Sequence, residues 1–189
     1  MTLIYRPVSY IERLNLSDIL QTPQPLEIEL GAGDGSFLIQ WAKANPYHNF
    51  LAVERLLGRI RKIERKANRI GLTNVRLLRI EASYFLEYLL PRKSVTALHV
   101  YFPDPWPKRK HRRKRLINEA FAKSCSRALA PGGAVYLRTD DPDYFAQMQS
   151  MLKGFTPIAT PPELASIRTD FERGFHERGV PTFLAAYRR

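Results

Sequence analysis

Short extended runs alternate with longer stretches of helical period along most of this chain. Leu26–Leu30, LEIEL, is an apolar run broken by two glutamates, and it leads into Gly31-Ala32-Gly33-Asp34-Gly35. A helical pattern follows over Ser36–Ala44 and stops at Asn45-Pro46. Residues 50–54 read as a second strand ending in Glu54. Residues 56–70 place Leu56, Ile60, Ile63, Ala67 and Ile70 on one helix face, with Gly71 as the stop. A third strand over 75–80 is followed by Glu81, and a fourth covers 96–102. Leu116, Ile117, Ala120, Phe121, Ser124, Cys125, Ala128 and Leu129 predict a further helix, closed by Pro131-Gly132-Gly133. A fifth strand, 134–139, meets Asp140-Asp141-Pro142, where Asp141 and Pro142 suit the N-cap and first turn of another helix. The flanks are less regular. Residues 1–25 carry three prolines and a possible helix over 9–20, and the tail beyond Thr156 ends in an extended-looking run, 182–187.

This alternation predicts an α/β fold of Rossmann type: a mostly parallel central sheet with helices on both faces and a ligand site at the carboxyl ends of the strands. Residues 26–189 are expected to form one domain, with 1–25 as an N-terminal segment packed on it. Acids recur along the expected rim, at Glu29, Glu54, Glu81, Asp104 and Asp140. Gly31 and Gly33 allow a tight turn and close approach of a ligand, and Glu54 follows Gly33 by 21 residues, where a carboxylate can accept from both ribose hydroxyls. That much suits NAD too. The spacing Gly31-x-Gly33-x-Gly35 departs from the dinucleotide fingerprint, however, and Glu29 would repel a pyrophosphate while suiting a ligand with an ammonium and a sulfonium. S-adenosylmethionine is such a ligand; a dinucleotide and a plain structural turn are the alternatives. Glu81 could accept from an adenine amino group or be a solvated strand-end acid.

Charge changes the picture further. Of the formal +12 on 189 residues, seven units sit in residues 108–115, where only His111 is neither Lys nor Arg. Such concentration favours an anionic partner, nucleic acid above all, over a solvated face or a targeting signal. The helix over 56–70 and its approach are also basic, at Arg55, Arg59, Lys62, Lys66 and Arg69, but the apolar stripe makes a solvated helix face the first reading there. Cys125 is the one cysteine, which excludes an internal disulfide, and no Cys/His cluster has metal-ligand spacing. A reducing, cytoplasmic setting without metal is expected. No apolar run nears the roughly 20 residues a bilayer crossing needs, and residues 1–10 lack the order of a signal peptide, so no membrane is expected.

Residues 101–115, YFPDPWPKRKHRRKR, join a strand end, a proline-stiffened loop and the basic run. Asp104-Pro105-Trp106 resembles the Asp/Asn-Pro-Pro-aromatic loop of amino-group methyltransferases that act on bases. Methyl transfer is a direct displacement, so catalysis there is alignment and charge placement. Asp104 could accept from a base edge or simply form a turn between prolines. Trp106 could stack on a base, brace the loop or fill the core. A methyltransferase for another RNA or a small molecule, and a non-catalytic RNA-binding module, are the competing functional classes.

Taken together, IELGAGDG, FPDPWPKRKHRRKR, LAPGGAVYLRTDD and TDFERGFHERGVP resemble the bacterial tRNA (guanine-46-N7-)-methyltransferases over about residues 26–189. The resemblance implies a class I methyltransferase fold with an antiparallel C-terminal strand. It also implies methyl transfer from S-adenosylmethionine to N7 of a variable-loop guanine in tRNA, in the cytoplasm, by a monomer or homodimer. By the same similarity Glu29, Glu54, Glu81 and Asp104 contact the cofactor beside the glycines, and Asp104 is also the catalytic residue. Lys108, Asp140, Thr169, Phe171 and Glu172 correspond to substrate contacts, and Lys110, His111, Arg112, Arg113, Lys114 and Arg115 to the RNA-contacting stretch. Glu81 stands where the family usually has Asp, and the segment before Leu26 is shorter and less basic than the arms many members carry.

Overall fold

In the computed structural model, which describes residues 2–189, eight strands among the described residues form one sheet. They are β1 (Ile4–Tyr5), β2 (Leu26–Leu30), β3 (Asn49–Glu54), β4 (Val75–Arg79), β5 (Val95–Tyr101), β6 (Leu129–Thr139), β7 (Thr156–Ile158) and β8 (Phe183–Arg188). In space they run β1-β4-β3-β2-β5-β6-β8-β7. The first six pair in parallel, and β8 is antiparallel to both β6 and β7. From β2 the chain winds outward through β3 to β4, then returns to β5 on the other side of β2. The order therefore reverses between β2 and β5, and a crevice opens beyond their carboxyl ends. Gly31 and Phe102 are the first residues past those two ends.

Helices α1 (Ser36–Ala44) and α2 (Leu57–Arg69) cover one face. Leu38, Ala42, Ile60, Ile63 and Ala67 pack there on Phe50, Ala52, Val75 and Leu77. The other face carries α3 (Ala82–Tyr84), its π-helical continuation Phe85–Leu89, α4 (Glu119–Ala128) and α5 (Pro142–Met151), over a core built on Ile28, Leu30, Leu51, Val53, Leu98 and Val135. Two shorter helices, α6 (Pro162–Ser166) and α7 (Asp170–Glu177), precede β8. The broken pattern of LEIEL is explained by the pleat: alternate side chains face opposite sides, so Ile28 and Leu30 enter one core while Glu27 and Glu29 are buried on the α1 side. Asp141 caps α5 by accepting from Tyr144 N at 2.7 Å, with Pro142 in its first turn, as the sequence predicts.

Three expectations differ. The helix over 9–20 is absent apart from a 3-10 turn at Leu16–Asp18: Leu14 N donates to Leu89 O at 2.8 Å, so this segment pairs with a neighbouring element instead of with itself. α4 begins at Glu119, because Asn118 caps it by accepting from Phe121 N at 3.0 Å, and Leu116 and Ile117 lie in the approach to it. Pro131-Gly132-Gly133 does not precede β6 but lies within it, opposite a register shift between Val95 and Ala97. The N-terminal segment also supplies β1, which pairs with β4, and sends Leu3, Leu14 and Ile19 into the cores. Met1 lies outside the described residues.

Candidate active site

The β2–α1 turn forms one wall of the crevice. Gly31, Gly33 and Gly35 have φ of 79°, 57° and 76°, the left-handed region that glycine enters without strain. At Gly35 space is limiting as well, since a Cβ would stand 2.8 Å from Ile63 Cγ1. The turn can thus lie tightly against α2. Gly33 N donates to Glu54 Oε2 at 3.1 Å, and Leu56 N donates to Glu54 Oε1 at 2.9 Å. Asp34 is held by Lys66 at 2.6 Å and Lys62 at 3.5 Å. Partial burial alone would raise its carboxyl pKa, but Lys66 and Ser36 more than offset that and hold it at about 2.

Glu29 is the exception among these acids. It is only 4% exposed, and its Oε2 has no hydrogen-bond partner. Burial pushes its pKa well above the ordinary carboxylate value, and the neighbouring Asp34 adds to this against the opposing charge of Arg138. Glu29 lines a cleft of about 340 Å³ with Gly31, Gly33, Asp104, Asp140, Thr169 and Phe171. An adjoining cleft of about 330 Å³ is lined by Glu54, Leu56, Ile80, Glu81, Trp106 and Lys114. Gly31, Arg59, Tyr101, Phe102, Pro103 and Asp104 border both, which puts the exposed Asp104 at their junction. Glu81 caps α3, accepting from Ser83 N at 3.0 Å, Ser83 Oγ at 2.6 Å and Tyr84 N at 2.8 Å. Burial would raise its pKa, but those bonds lower it.

The Asp104 loop is fixed at both ends by residues in strained backbone. Phe102 and Trp106 have φ of 51° and 42°, unusual outside glycine and kept only where surroundings impose it. Phe102 N donates to Arg138 O at 2.9 Å, and its ring lies 5.4 Å from that of Phe175. Lys114 Nζ sits 4.6 Å over the Trp106 ring, and His111 meets the ring edge-on at 5.8 Å, so Trp106 braces the loop against the basic segment. That segment is a 3-10 helix, Arg109–Lys114. Lys108, Lys110, Arg112, Arg113 and Lys114 are exposed and His111 is half-buried.

Three of the expected substrate contacts, Arg115, Thr169 and Glu172, are buried, and of these only Thr169 lines the cleft. Arg115 is 2% exposed: its Nε donates to Pro105 O at 2.7 Å, and its terminal nitrogens donate to Gln147 and Asp143, each at 2.8 Å. It ties the Asp104 loop to α5, and the exposed run ends at Lys114. Glu172 is also 2% exposed and pairs with Arg138 at 2.7 Å, inside the fold. Arg138 further donates to Ile167 O and Leu164 O, each at 2.6 Å. Thr169 caps α7, accepting from Glu172 N at 3.0 Å, and Asp170 N donates to Ser36 Oγ at 3.0 Å. The late Thr-Asp-Phe-Glu motif is thereby laid over the glycine turn, leaving Phe171, 55% exposed, at the cleft mouth.

Residues 23–184 match the family model described as "Putative methyltransferase". The tRNA (guanine-N(7)-)-methyltransferase of Nitrosococcus oceani is 33% identical over 170 residues, covering 88% of this chain and 72% of the relative. The chain belongs to this methyltransferase family. Two further relatives carry the same name. One, from Geobacter metallireducens, is 38% identical over 69% of this chain. The other, from Paenarthrobacter aurescens, is 41% identical over 70%. The chain spans only 62% and 44% of the length of these two relatives. Among solved structures, the 16S rRNA methyltransferase KamB superposes with a TM-score of 0.65 at 17% identity, covering 92% of this chain and 90% of that one. A geranyl diphosphate C-methyltransferase from Streptomyces coelicolor, in complex with S-adenosyl-L-homocysteine, gives 0.60 at 16% identity over 92% and 78%. These two resemblances are of fold.

The residues present fit S-adenosylmethionine. A free, buried carboxylate oxygen at Glu29 beside positive-φ glycines suits a cationic ligand, and Glu54 already meets the amide of the turn. Sequence reasoning missed Arg138, Phe102, Phe175 and the layer behind them. Tyr101, part of the cleft wall, shares a hydrogen bond with His99 at 2.9 Å. The other His99 nitrogen meets Glu27 at 2.7 Å. A signal for Arg138 was present: a cation inside the apolar run AVYLRT is buried only if paired. None marked the phenylalanines, whose spacing depends on how α7 docks.

Proposed function

We propose that this protein transfers the methyl group of S-adenosylmethionine to N7 of a variable-loop guanine in tRNA, in the cytoplasm. The observation that carries the reading is the meeting of the unsatisfied Glu29 Oε2, the glycine turn and Asp104 at one crevice beside the exposed cations of residues 108–114. Gly31 and Gly33 leave room for the cofactor, Glu29 takes its ammonium group, Glu54 its ribose hydroxyls and Glu81 its adenine. When bound, S-adenosylmethionine supplies a methyl carbon from which the guanine N7 lone pair displaces the thioether, the carbon–sulfur pair leaving with sulfur and the positive charge passing to the purine.

Guanine N7 has a free lone pair, so no proton must be removed first and Asp104 is not a general base. Asp104 orients the base by accepting from N1–H and the 2-amino group, and its charge stabilises the cationic purine. Adenine lacks that pair of donors, which makes an acceptor here a means of choosing guanine. Phe102, Phe171 and Phe175 offer aromatic faces to a purine in the cleft that Asp140 and Thr169 also line. Lys108, Lys110, His111, Arg112, Arg113 and Lys114 take phosphates. The test is incubation with labelled S-adenosylmethionine and an unmodified tRNA transcript, with the methylated atom mapped. Transfer to N7 of the variable-loop guanine is expected; no transfer, or transfer to another atom, overturns the reading.

A further inference from the structure

The net charge of the chain resides in two segments. Residues 108–115 hold seven cations, and residues 55–69 hold seven cations against one acid, Glu64. Seven and a net six together exceed the formal +12, so the rest of the chain is net −1. The two segments leave the sheet on either side of β2, one after β3 and one after β5, and they border the same cleft: Arg55 and Arg59 line it together with Lys114.

α2 turns Ile60, Ile63 and Ala67 to the sheet and leaves Arg59, Arg61, Lys62, Arg65 and Arg69 exposed. Its acid forms no ion pair with these cations among the described residues and is engaged by the N-terminal segment instead: Glu64 Oε1 accepts from Thr2 Oγ1 at 3.1 Å and Leu3 N at 2.9 Å. Lys62 and Lys66 are engaged by Asp34, and Arg59 stands 3.6 Å from Glu54. Among the described residues, Arg61, Arg65 and Arg69 make no ion pair. They recur at four-residue spacing, where like charges weaken a helix, whereas a face serving only solubility would intersperse acids. At 1.5 Å per residue, the 13 residues of α2 extend this surface about 20 Å from the crevice.

We propose that the solvent face of α2 is a second RNA-binding surface, on which Arg61, Arg65 and Arg69 take phosphates of the tRNA whose target base enters the cleft. The proposal rests on the tRNA reading above. It replaces the solvated-face reading, which periodicity alone favoured because periodicity tells which side of a helix is buried and not what the other side meets.

Binding of an unmodified tRNA transcript is measured between about 50 and 200 mM salt. The wild type is compared with R65E/R69E and R112E/R113E. K43E/K153E serves as an equal charge change at exposed positions outside both segments. For R65E/R69E the expected result is affinity lower by about ten-fold or more, with the slope of log K against log salt reduced by about 0.7–0.9 per lost phosphate contact. KM for tRNA rises while kcat at saturating tRNA stays near wild type. R65Q/R69Q, which removes charge without reversing it, supplies the same slope if the reversed variant loses helicity. A slope change no larger than that of K43E/K153E overturns the α2 surface alone, provided the wild type methylates the transcript. A wild type that binds S-adenosylmethionine but neither binds nor methylates the transcript removes the tRNA reading and this proposal with it.

Discussion

A buried carboxylate oxygen without a hydrogen-bond partner is costly, and Glu29 Oε2 is held in that condition at the crevice where a cation is expected. Its folded pKa lies above the unfolded value of about 4.5, so the folded state holds the proton more tightly and stability falls as pH rises above that value. E29Q should therefore raise the melting temperature of the cofactor-free protein at pH 7, at about 2–4 °C per kcal/mol relieved, and abolish the further rise that S-adenosylmethionine gives the wild type. Thermal melts with and without the cofactor check both halves; an undiminished cofactor shift in E29Q would remove Glu29 from the ligand. Asp104 has a different task. D104A should lower kcat by about 100-fold or more while tRNA affinity stays within a few-fold. Parallel collapse of affinity would show that Asp104 holds the loop and not the base.

At the scale of elements, the loop carrying Asp104 depends on side chains that arrive from elsewhere. Arg115 joins the Pro105 carbonyl to Gln147 and Asp143 of α5 with three hydrogen bonds, a fork that Lys cannot reproduce. R115K should cost about 1–3 kcal/mol of stability in urea melts and lower kcat, with the salt dependence of tRNA binding unchanged. A reduced salt slope would return Arg115 to the RNA-contacting run. Arg138 does the corresponding work for α7, since its bonds to Leu164, Ile167 and Glu172 bring Thr169 and Phe171 over the glycine turn. Both arginines belong to segments singled out in the sequence. Their roles were not legible there, because a basic run and an apolar strand look the same whether or not one guanidinium turns inward.

For the whole molecule, acid stability should follow Glu27, buried on the α1 side of the sheet. Desolvation alone would raise its pKa, but bonds from His99, Trp41 and His48 hold it at about 2, against about 4.5 unfolded. Its contribution is fully present above about pH 4.5 and is lost as pH falls toward 2, an effect on the order of 3 kcal/mol. Denaturation midpoints between pH 5 and pH 3 should fall in the wild type and fall less in E27Q; parallel curves would assign the loss to other groups, Asp34 among them. The same wild-type and variant melts read the fold without reference to tRNA.

The strand-turn-helix alternation, the glycine turn, the rim acids and the basic run were all determined by the sequence, because each is written in residues close together along the chain. Periodicity, capping and glycine spacing are local physics, and by themselves they place Glu29, Glu54 and Asp104 near one edge. Only the tertiary structure decided which cations are free: it buried Arg115 and Arg138 against carbonyls and carboxylates of other elements, paired Lys62 and Lys66 with Asp34, and left Arg61, Arg65 and Arg69 on the outer face of α2 without an ion pair among the described residues. It also decided that Glu172 is a strut and that three phenylalanines from two segments share a cleft. Apart from the Arg115–Pro105 bond, which spans 10 positions, those outcomes depend on contacts between residues about 30 to more than 100 positions apart, which chain topology sets and no local pattern encodes.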